Sequence, residues 1–179
     1  MRAWKMQLLC AASLMISASA ATAGGVTVEG AHLCCGACVK AATAAFEGVD
    51  GVSNVAIDKD AGTIKFDVTN VKAARSGLGA LAKAGFGGAA KHEGKDLKFP
   101  KGFKEDGKAN SVTIRGVHNC CPGCAKAIEG ALKGVKGVDS VKCQKKSCTV
   151  TGTDIAYSDL VQALHAEGLH GSIPAPKAK

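Results

Sequence analysis

Hydrophobic and polar positions along the chain follow the same order of periods twice. In the first pass, Val26 and Val28 alternate with polar residues, which predicts a half-buried strand. A helical period comes next, with apolar residues spaced as one helix face at Val39, Ala42, Phe46 and Val49. The second pass repeats these offsets at Ala125, Ile128, Leu132 and Val135. Each pass therefore begins with a strand followed by a helix.

Two further strands, a second helix and a final strand complete each pass. In the first pass we predict strands near residues 55–57 and 64–68, a helix over 71–81, and a last strand near 86–91. The second pass ends with a strand near 169–173. The order strand, helix, strand, strand, helix, strand is the split βαβ, ferredoxin-like arrangement. The fold class is therefore predicted to be α+β, with two ferredoxin-like βαββαβ domains in tandem.

The predicted domains occupy residues 24–92 and 110–174. Residues 93–109 are rich in Lys and Gly and are predicted to be a mostly flexible linker, and residues 175–179 are predicted to be a disordered tail. Residues 1–23 have the pattern of a secretory signal peptide, with a basic start, a short apolar stretch and the small residues Ala21, Thr22 and Ala23. We therefore expect an exported protein, periplasmic or extracellular, with no membrane span after cleavage.

The charge balance limits the classes of partner. The chain has 23 basic and 15 acidic residues, for a formal net charge of +8. Cleavage of the signal removes Arg2 and Lys5, so the mature chain stays basic. Solubility explains most of this charge, and a metal transporter or acceptor protein with an acidic surface is a further candidate partner. Nucleic acid is not expected, because the chain is predicted to be exported and has no aromatic and basic platform.

One short motif, His-x-Cys-Cys-x-x-Cys, occurs in both passes at an offset of 86 residues. It places His32, Cys34, Cys35 and Cys38 in the first copy and His118, Cys120, Cys121 and Cys124 in the second. In both copies the CxxC pair opens the first helix. Backbone N–H groups at a helix N-terminus lower thiol pKa values, and thiolates bind soft metals such as Cu(I).

These residues and the order of the elements resemble the heavy-metal-associated domain family, which includes copper chaperones and mercury-binding proteins. The resemblance depends on the two CxxC pairs between first strand and first helix, and on Gly51-Val52 and Gly137-Val138. It implies metal binding by Cys35, Cys38, Cys121 and Cys124, with Cu(I) first and Hg(II) second. The chain departs from the family pattern at Leu33 and Asn119, where the family usually has Met.

The extra residues of the motif leave the coordination open. Cys34 and Cys120 could each add a third thiolate to the pair beside it, and His32 and His118 could complete Cys₃His sets that suit Zn(II). We expect one soft metal ion in each copy, bound by a carrier or scavenger that is not an enzyme. Two alternatives remain at this point: a thiol–disulfide oxidoreductase that uses the CxxC pairs, and a disulfide-stabilised module without metal.

Cys143 and Cys148 belong to a different pattern. They occupy the strand positions that carry Ile57 and Ile64 in the first copy, on the two sides of a short turn. Residues at such positions face each other across a hairpin, so a structural disulfide or two buried thiols is the expected state. A second metal site near Cys120 and Cys121 is the alternative.

Overall fold

The computed structural model describes residues 24–103 and 106–175 and shows a mixed α/β fold with antiparallel sheets and four helices. The predicted signal peptide and residues 176–179 of the predicted tail lie outside the described residues. No helix within the described residues is both long and apolar enough to cross a membrane.

The first half contains five strands and two helices. They are β1 (Gly24–Glu29), α1 (Gly36–Ala44), β2 (Val52–Asp58), β3 (Thr63–Val68), α2 (Val71–Lys83), β4 (Ala89–His92) and β5 (Lys95–Leu97). The strands form one antiparallel sheet in the order β2-β3-β1-β4-β5. The first four strands follow the ferredoxin-like order, and α1 and α2 bury Ala42, Leu78 and Leu81 in the core.

The second half repeats most of this order. Its elements are β6 (Lys108–Arg115), α3 (Pro122–Lys133), β7 (Val138–Gln144), β8 (Ser147–Ala156) and α4 (Tyr157–Ala166). The strands pair in the antiparallel order β6-β8-β7. Within the described residues the predicted last strand, 169–173, does not form a regular strand, and this expectation was wrong.

Hydrogen bonds to the first half explain why that strand is missing. The backbone N–H of His170 donates to the carbonyl of Gly85 at 2.9 Å, and Leu169 bridges to Phe86. Only Ser172 exchanges bonds with Arg115 of β6. A buried backbone group needs a partner, and here several of the partners belong to the other half of the chain instead of to the neighbouring strand.

The segment between the two repeats is more ordered than its composition suggested. Residues 95–97 add β5 to the first sheet, and Ala90 pairs with Leu97. Phe99 and Phe103 are partly buried against the core, and Phe103 also bridges to Ile173 of the second half. Polar composition indicated a flexible linker, but these three apolar side chains tie its described residues to both halves.

Two glycines lie where the halves meet. Gly85 and Gly168 follow the second helix of their repeats and have φ values of 89° and 68°, a region that favours glycine. A Cβ at Gly168 would overlap the backbone around the carbonyl of Gly30, and a Cβ at Gly85 would overlap the backbone at His118. The Gly168 carbonyl also accepts hydrogen bonds from the N–H groups of His32 and Gly87, at 3.0 and 2.9 Å.

These contacts are reciprocal. The glycine after the second helix of each half touches the loop before the CxxC of the other half. The buried apolar residues of both halves form one continuous core. The two cysteine loops are therefore held against each other by backbone contacts that leave no room for a side chain.

Candidate metal centre

Each CxxC pair begins at the N-cap of a helix. Cys35 caps α1 and Cys121 caps α3, both with extended backbone at φ near −155°. Pro122 at the start of α3 suits that position, since it has no N–H to leave unpaired. Cys38 and Cys124 lie three residues on, in the first turn, and their side chains face the core with no exposed surface. The helix geometry thus gives each pair one inner and one outer sulfur.

The sulfur atoms of the two loops meet in one cluster. Six free cysteines contribute to it, three from each half: Cys34, Cys35, Cys38, Cys120, Cys121 and Cys124. Neighbouring sulfurs are 3.3 to 3.9 Å apart, so none is bonded to another and all are within the reach of shared metal ions. One ion per loop was the expectation from the sequence, and the structure instead brings both loops into a single site.

The extra cysteine of each motif crosses to the other half. Cys34 Sγ lies 3.3 Å from Cys121 Sγ and 3.4 Å from Cys124 Sγ. In the reverse direction, Cys120 Sγ lies 3.7 Å from Cys35 Sγ and 3.6 Å from Cys38 Sγ. Each third thiol is thus placed beside the CxxC pair of the opposite repeat as well as beside its own.

The outer sulfurs of the CxxC pairs favour the thiolate. Backbone N–H groups in the first turn, chiefly that of Cys124, lower the pKa of Cys121 to about 6. The corresponding N–H of Cys38 lowers the pKa of Cys35. Desolvation in the cluster raises the pKa of Cys34 and of Cys120, and bonds to neighbouring sulfurs add to this shift. Without metal, the cluster therefore favours a thiolate at Cys121, with the thiol of Cys34 within hydrogen-bond distance of it.

The two histidines of the motif lie beside the sulfurs. A ring nitrogen of His118 is grouped with Cys38, Cys120 and Cys124, and a ring nitrogen of His32 with Cys34 and Cys124. Burial lowers the pKa of both imidazoles, which keeps them neutral and able to bind metal.

Both imidazoles have an unused nitrogen. The Nε2 atoms of His32 and His118 are buried and have no hydrogen-bond partner among the described residues. A buried polar atom without a partner is costly, so these atoms fit a site that gains a ligand. His118 would complete a Cys₃His set, but its three cysteines come from both repeats. The set predicted within one copy is not the one that the structure groups around His118.

The remaining cysteines and histidines lie elsewhere. Cys143 and Cys148 face each other across the β7–β8 hairpin and are joined by a disulfide. His170 was not among the predicted ligands. It is buried beside His165, with His165 Nε2 and His170 Nδ1 2.6 Å apart. The sequence offers little to find this pair, because the two histidines share no motif.

A comparison with known protein families agrees with the chemistry of this site. Residues 108–170 match the heavy-metal-associated domain. The second half contains a heavy-metal-associated domain. This domain indicates heavy-metal binding, and the matched residues include His118, Cys120, Cys121 and Cys124. No curated protein matches the chain.

The residues that match the heavy-metal-associated domain contain three of the six cysteines of the cluster. Cys34, Cys35 and Cys38 lie outside the matched residues, yet their sulfurs reach those of the domain at 3.3 to 3.9 Å. Cysteine sulfur is a soft ligand, and the groups of cysteine and histidine found here can hold a soft heavy-metal ion.

Proposed function

We propose that this chain is an exported carrier or scavenger of soft metal ions, with Cu(I) as its first cargo and Hg(II) as its second. The observation that carries the proposal is the cluster of six free cysteines, half of which belong to a matched heavy-metal-associated domain. Thiolate sulfur binds Cu(I) in preference to harder ions. The close spacing of the sulfurs suits an ion such as Cu(I) that binds only two or three ligands. Zn(II) remains a candidate for the Cys₃His group around His118.

The first half is proposed to be a second heavy-metal-associated domain. In support, it has the same His-x-Cys-Cys-x-x-Cys loop, the same pairing order of its first three strands and a CxxC that opens a helix in the same way. Export is proposed from the pattern of residues 1–23. The carrier role includes no catalysis, because the sulfurs lie within hydrogen-bond distance of one another and the neighbouring histidines belong to the same ligand set.

A groove beside the cluster supports a role in metal delivery. His118, Asn119 and Cys120 line it together with Lys83, Lys145 and Lys146. Ammonium groups around a cysteine would attract an acceptor with an acidic surface and hold it near the metal. We propose that an acidic transporter or acceptor protein docks here.

Competition for Cu(I) tests the proposed function. The reduced mature chain is titrated with a Cu(I) chelator complex, and parallel titrations use Hg(II) and Zn(II). Serine at Cys35, Cys38, Cys121 and Cys124 together should weaken Cu(I) binding by more than about a hundredfold, because loss of second-shell groups alone costs about ten- to a hundredfold. Far-UV circular dichroism checks that the variant folds. Binding of Cu(I) that is unchanged in a folded quadruple variant would contradict the assignment.

Thiol–disulfide exchange is the second candidate function. Cys121 favours it, because its sulfur is partly exposed and its pKa is lowered to about 6, as in reactive dithiols. Reduction of a disulfide substrate such as insulin, measured with and without one equivalent of Cu(I), separates the two. If the chain is an oxidoreductase, the rate of insulin reduction should depend on Cys121 and Cys124. If it is a carrier, the rate should not exceed that of a free thiol.

A further inference from the structure

The structure assigns the six cysteines to one polynuclear Cu(I)–thiolate cluster shared by both halves of the chain, in place of one ion in each half. The inference rests on the proposed function as a Cu(I)-binding protein. It goes further by specifying how many ions bind, which sulfurs bridge them, and why each motif carries a third cysteine.

The sulfurs form triangles of a size that suits three-coordinate metal ions. Cys34, Cys121 and Cys124 form one triangle, with edges of 3.3, 3.4 and 3.8 Å. An edge of 3.9 Å in an equilateral triangle places a central ion about 2.3 Å from each sulfur, which is the length of a zinc–thiolate bond. Metal–sulfur bonds of ordinary length therefore need only small outward shifts of the sulfurs.

Three more triangles complete the set, and each of the four shares an edge with at least one other. Cys35, Cys38 and Cys120 form the second, with edges of 3.6, 3.7 and 3.6 Å. The other two are built on the Cys38–Cys124 edge of 3.9 Å, one closed by Cys34 and the other by Cys120. Each of these four triangles joins sulfurs from both repeats. Cys34, Cys35 and Cys38 of the first half also form a group within 4.8 Å, and its sulfurs lie in triangles completed by the second half.

The bond count agrees with this geometry. If each of the six thiolates binds two ions on average, the cluster contains about twelve metal–sulfur bonds. At three bonds per ion, this corresponds to about four Cu(I) ions. Cys38 and Cys124 each belong to three of the triangles and would be the main bridging ligands. Both are fully buried, so the centre of the cluster is shielded from water and from exchange with small thiols.

Charge is balanced without a change of oxidation state. Loading about four Cu(I) ions onto six thiols releases the thiol protons to solvent and leaves a formal charge of about −2. Copper enters and stays as Cu(I), supplied by a weaker chelator that is released. Lys83, Lys145 and Lys146 beside Cys120 are placed to offset the negative charge.

Native mass spectrometry of the reduced mature chain, titrated with a Cu(I) chelator complex, tests the inference. We expect about four Cu(I) ions per chain, with little of the species that carry one to three, because shared sulfurs make loading cooperative. The decisive variant is Cys34→Ser with Cys120→Ser. Both side chains are exposed, so the fold should tolerate the changes, and each triangle loses one sulfur. Its loading should fall to about two ions, one in each CxxC pair.

A matched control removes two sulfurs that lie outside the cluster. Cys143→Ser with Cys148→Ser should leave the loading at about four ions. Two ions in the unmodified chain, unaffected by the Cys34 and Cys120 changes, would overturn the shared cluster and leave the proposed function intact. Failure of the chain to bind any Cu(I) in competition with the chelator would overturn the proposed function itself.

Discussion

We expect the buried pair His165 and His170 to lower the free energy of unfolding of the protein as the pH becomes mildly acidic. His170 is 3% exposed, and its Nδ1 lies 2.6 Å from Nε2 of His165. Burial, aided by the neighbouring histidine, lowers the pKa of His170 to about 4 from an ordinary value of 6.5. The pair lies where the halves meet, since Phe99 is within 6.2 Å of both rings and His170 N–H binds Gly85.

The sign follows from where each state takes up a proton. The unfolded chain protonates His170 as the pH falls through 6.5, but the folded chain does so only near pH 4. The stabilising contribution is therefore fully present above pH 6.5 and is lost as the pH falls towards 4. Between pH 7.5 and pH 5 the free energy of unfolding should drop by about 2 kcal/mol through this residue.

Urea denaturation of the reduced, metal-free protein at the two pH values measures this drop. The His170→Gln variant should lose most of the pH dependence that His170 contributes. His92→Gln is the matched control, because His92 pairs with β1 and its ring lies against the Gly25 carbonyl, and the variant should keep the dependence that His170 contributes. A drop of equal size in the His170→Gln variant and in the unmodified protein would refute the reasoning.

Two further predictions concern the hairpin disulfide and the junction of the halves. Cys143 and Cys148 should stay linked in the exported protein, and peptide mapping after alkylation without reduction should find them joined; the link is worth about 2 kcal/mol for so short a loop, and two freely alkylated thiols would contradict it. Gly168→Ala should separate the loops and abolish cooperative Cu(I) loading, because its Cβ would overlap the Gly30 backbone. Gly130→Ala, in open space on α3, should leave loading unchanged and raise stability by about 0.5–1 kcal/mol in urea denaturation; equal loading by both variants would refute the role of Gly168.

Local patterns were sufficient to predict most elements of the fold. Alternation and helical spacing within ten or so residues indicated β1 to β4 and all four helices. The same local reasoning paired Cys143 with Cys148 across the hairpin, and the observed register places them opposite each other. These features depend on contacts between neighbours in sequence, so one repeat is enough to infer them.

The relation between the halves could not be predicted in this way. It depends on Gly85 and Gly168, which follow the second helices, a position where glycine is common whatever lies nearby. Their glycine identity is required equally by the backbone of the opposite half. One signal did point to the shared site: an odd number of cysteines in each loop leaves one sulfur to pair with something outside that loop. The crossing of Cys34 and Cys120 accounts for it.

The segment between the repeats shows the same limit. Its charges and glycines favour a flexible chain when it is considered alone. Leu97, Phe99 and Phe103 become informative only when both halves are present to bury them. Apolar residues within a polar segment were thus the available signal for order.

X-ray absorption at the copper edge tests most directly the claim that cysteines of both halves bind the same metal. The fully loaded protein should show about three sulfur ligands per copper and a clear copper–copper scattering path. The copper–copper path should disappear when Cys34 and Cys120 are replaced by serine. Two sulfur ligands per copper with no copper–copper path in the unmodified protein would contradict the shared centre.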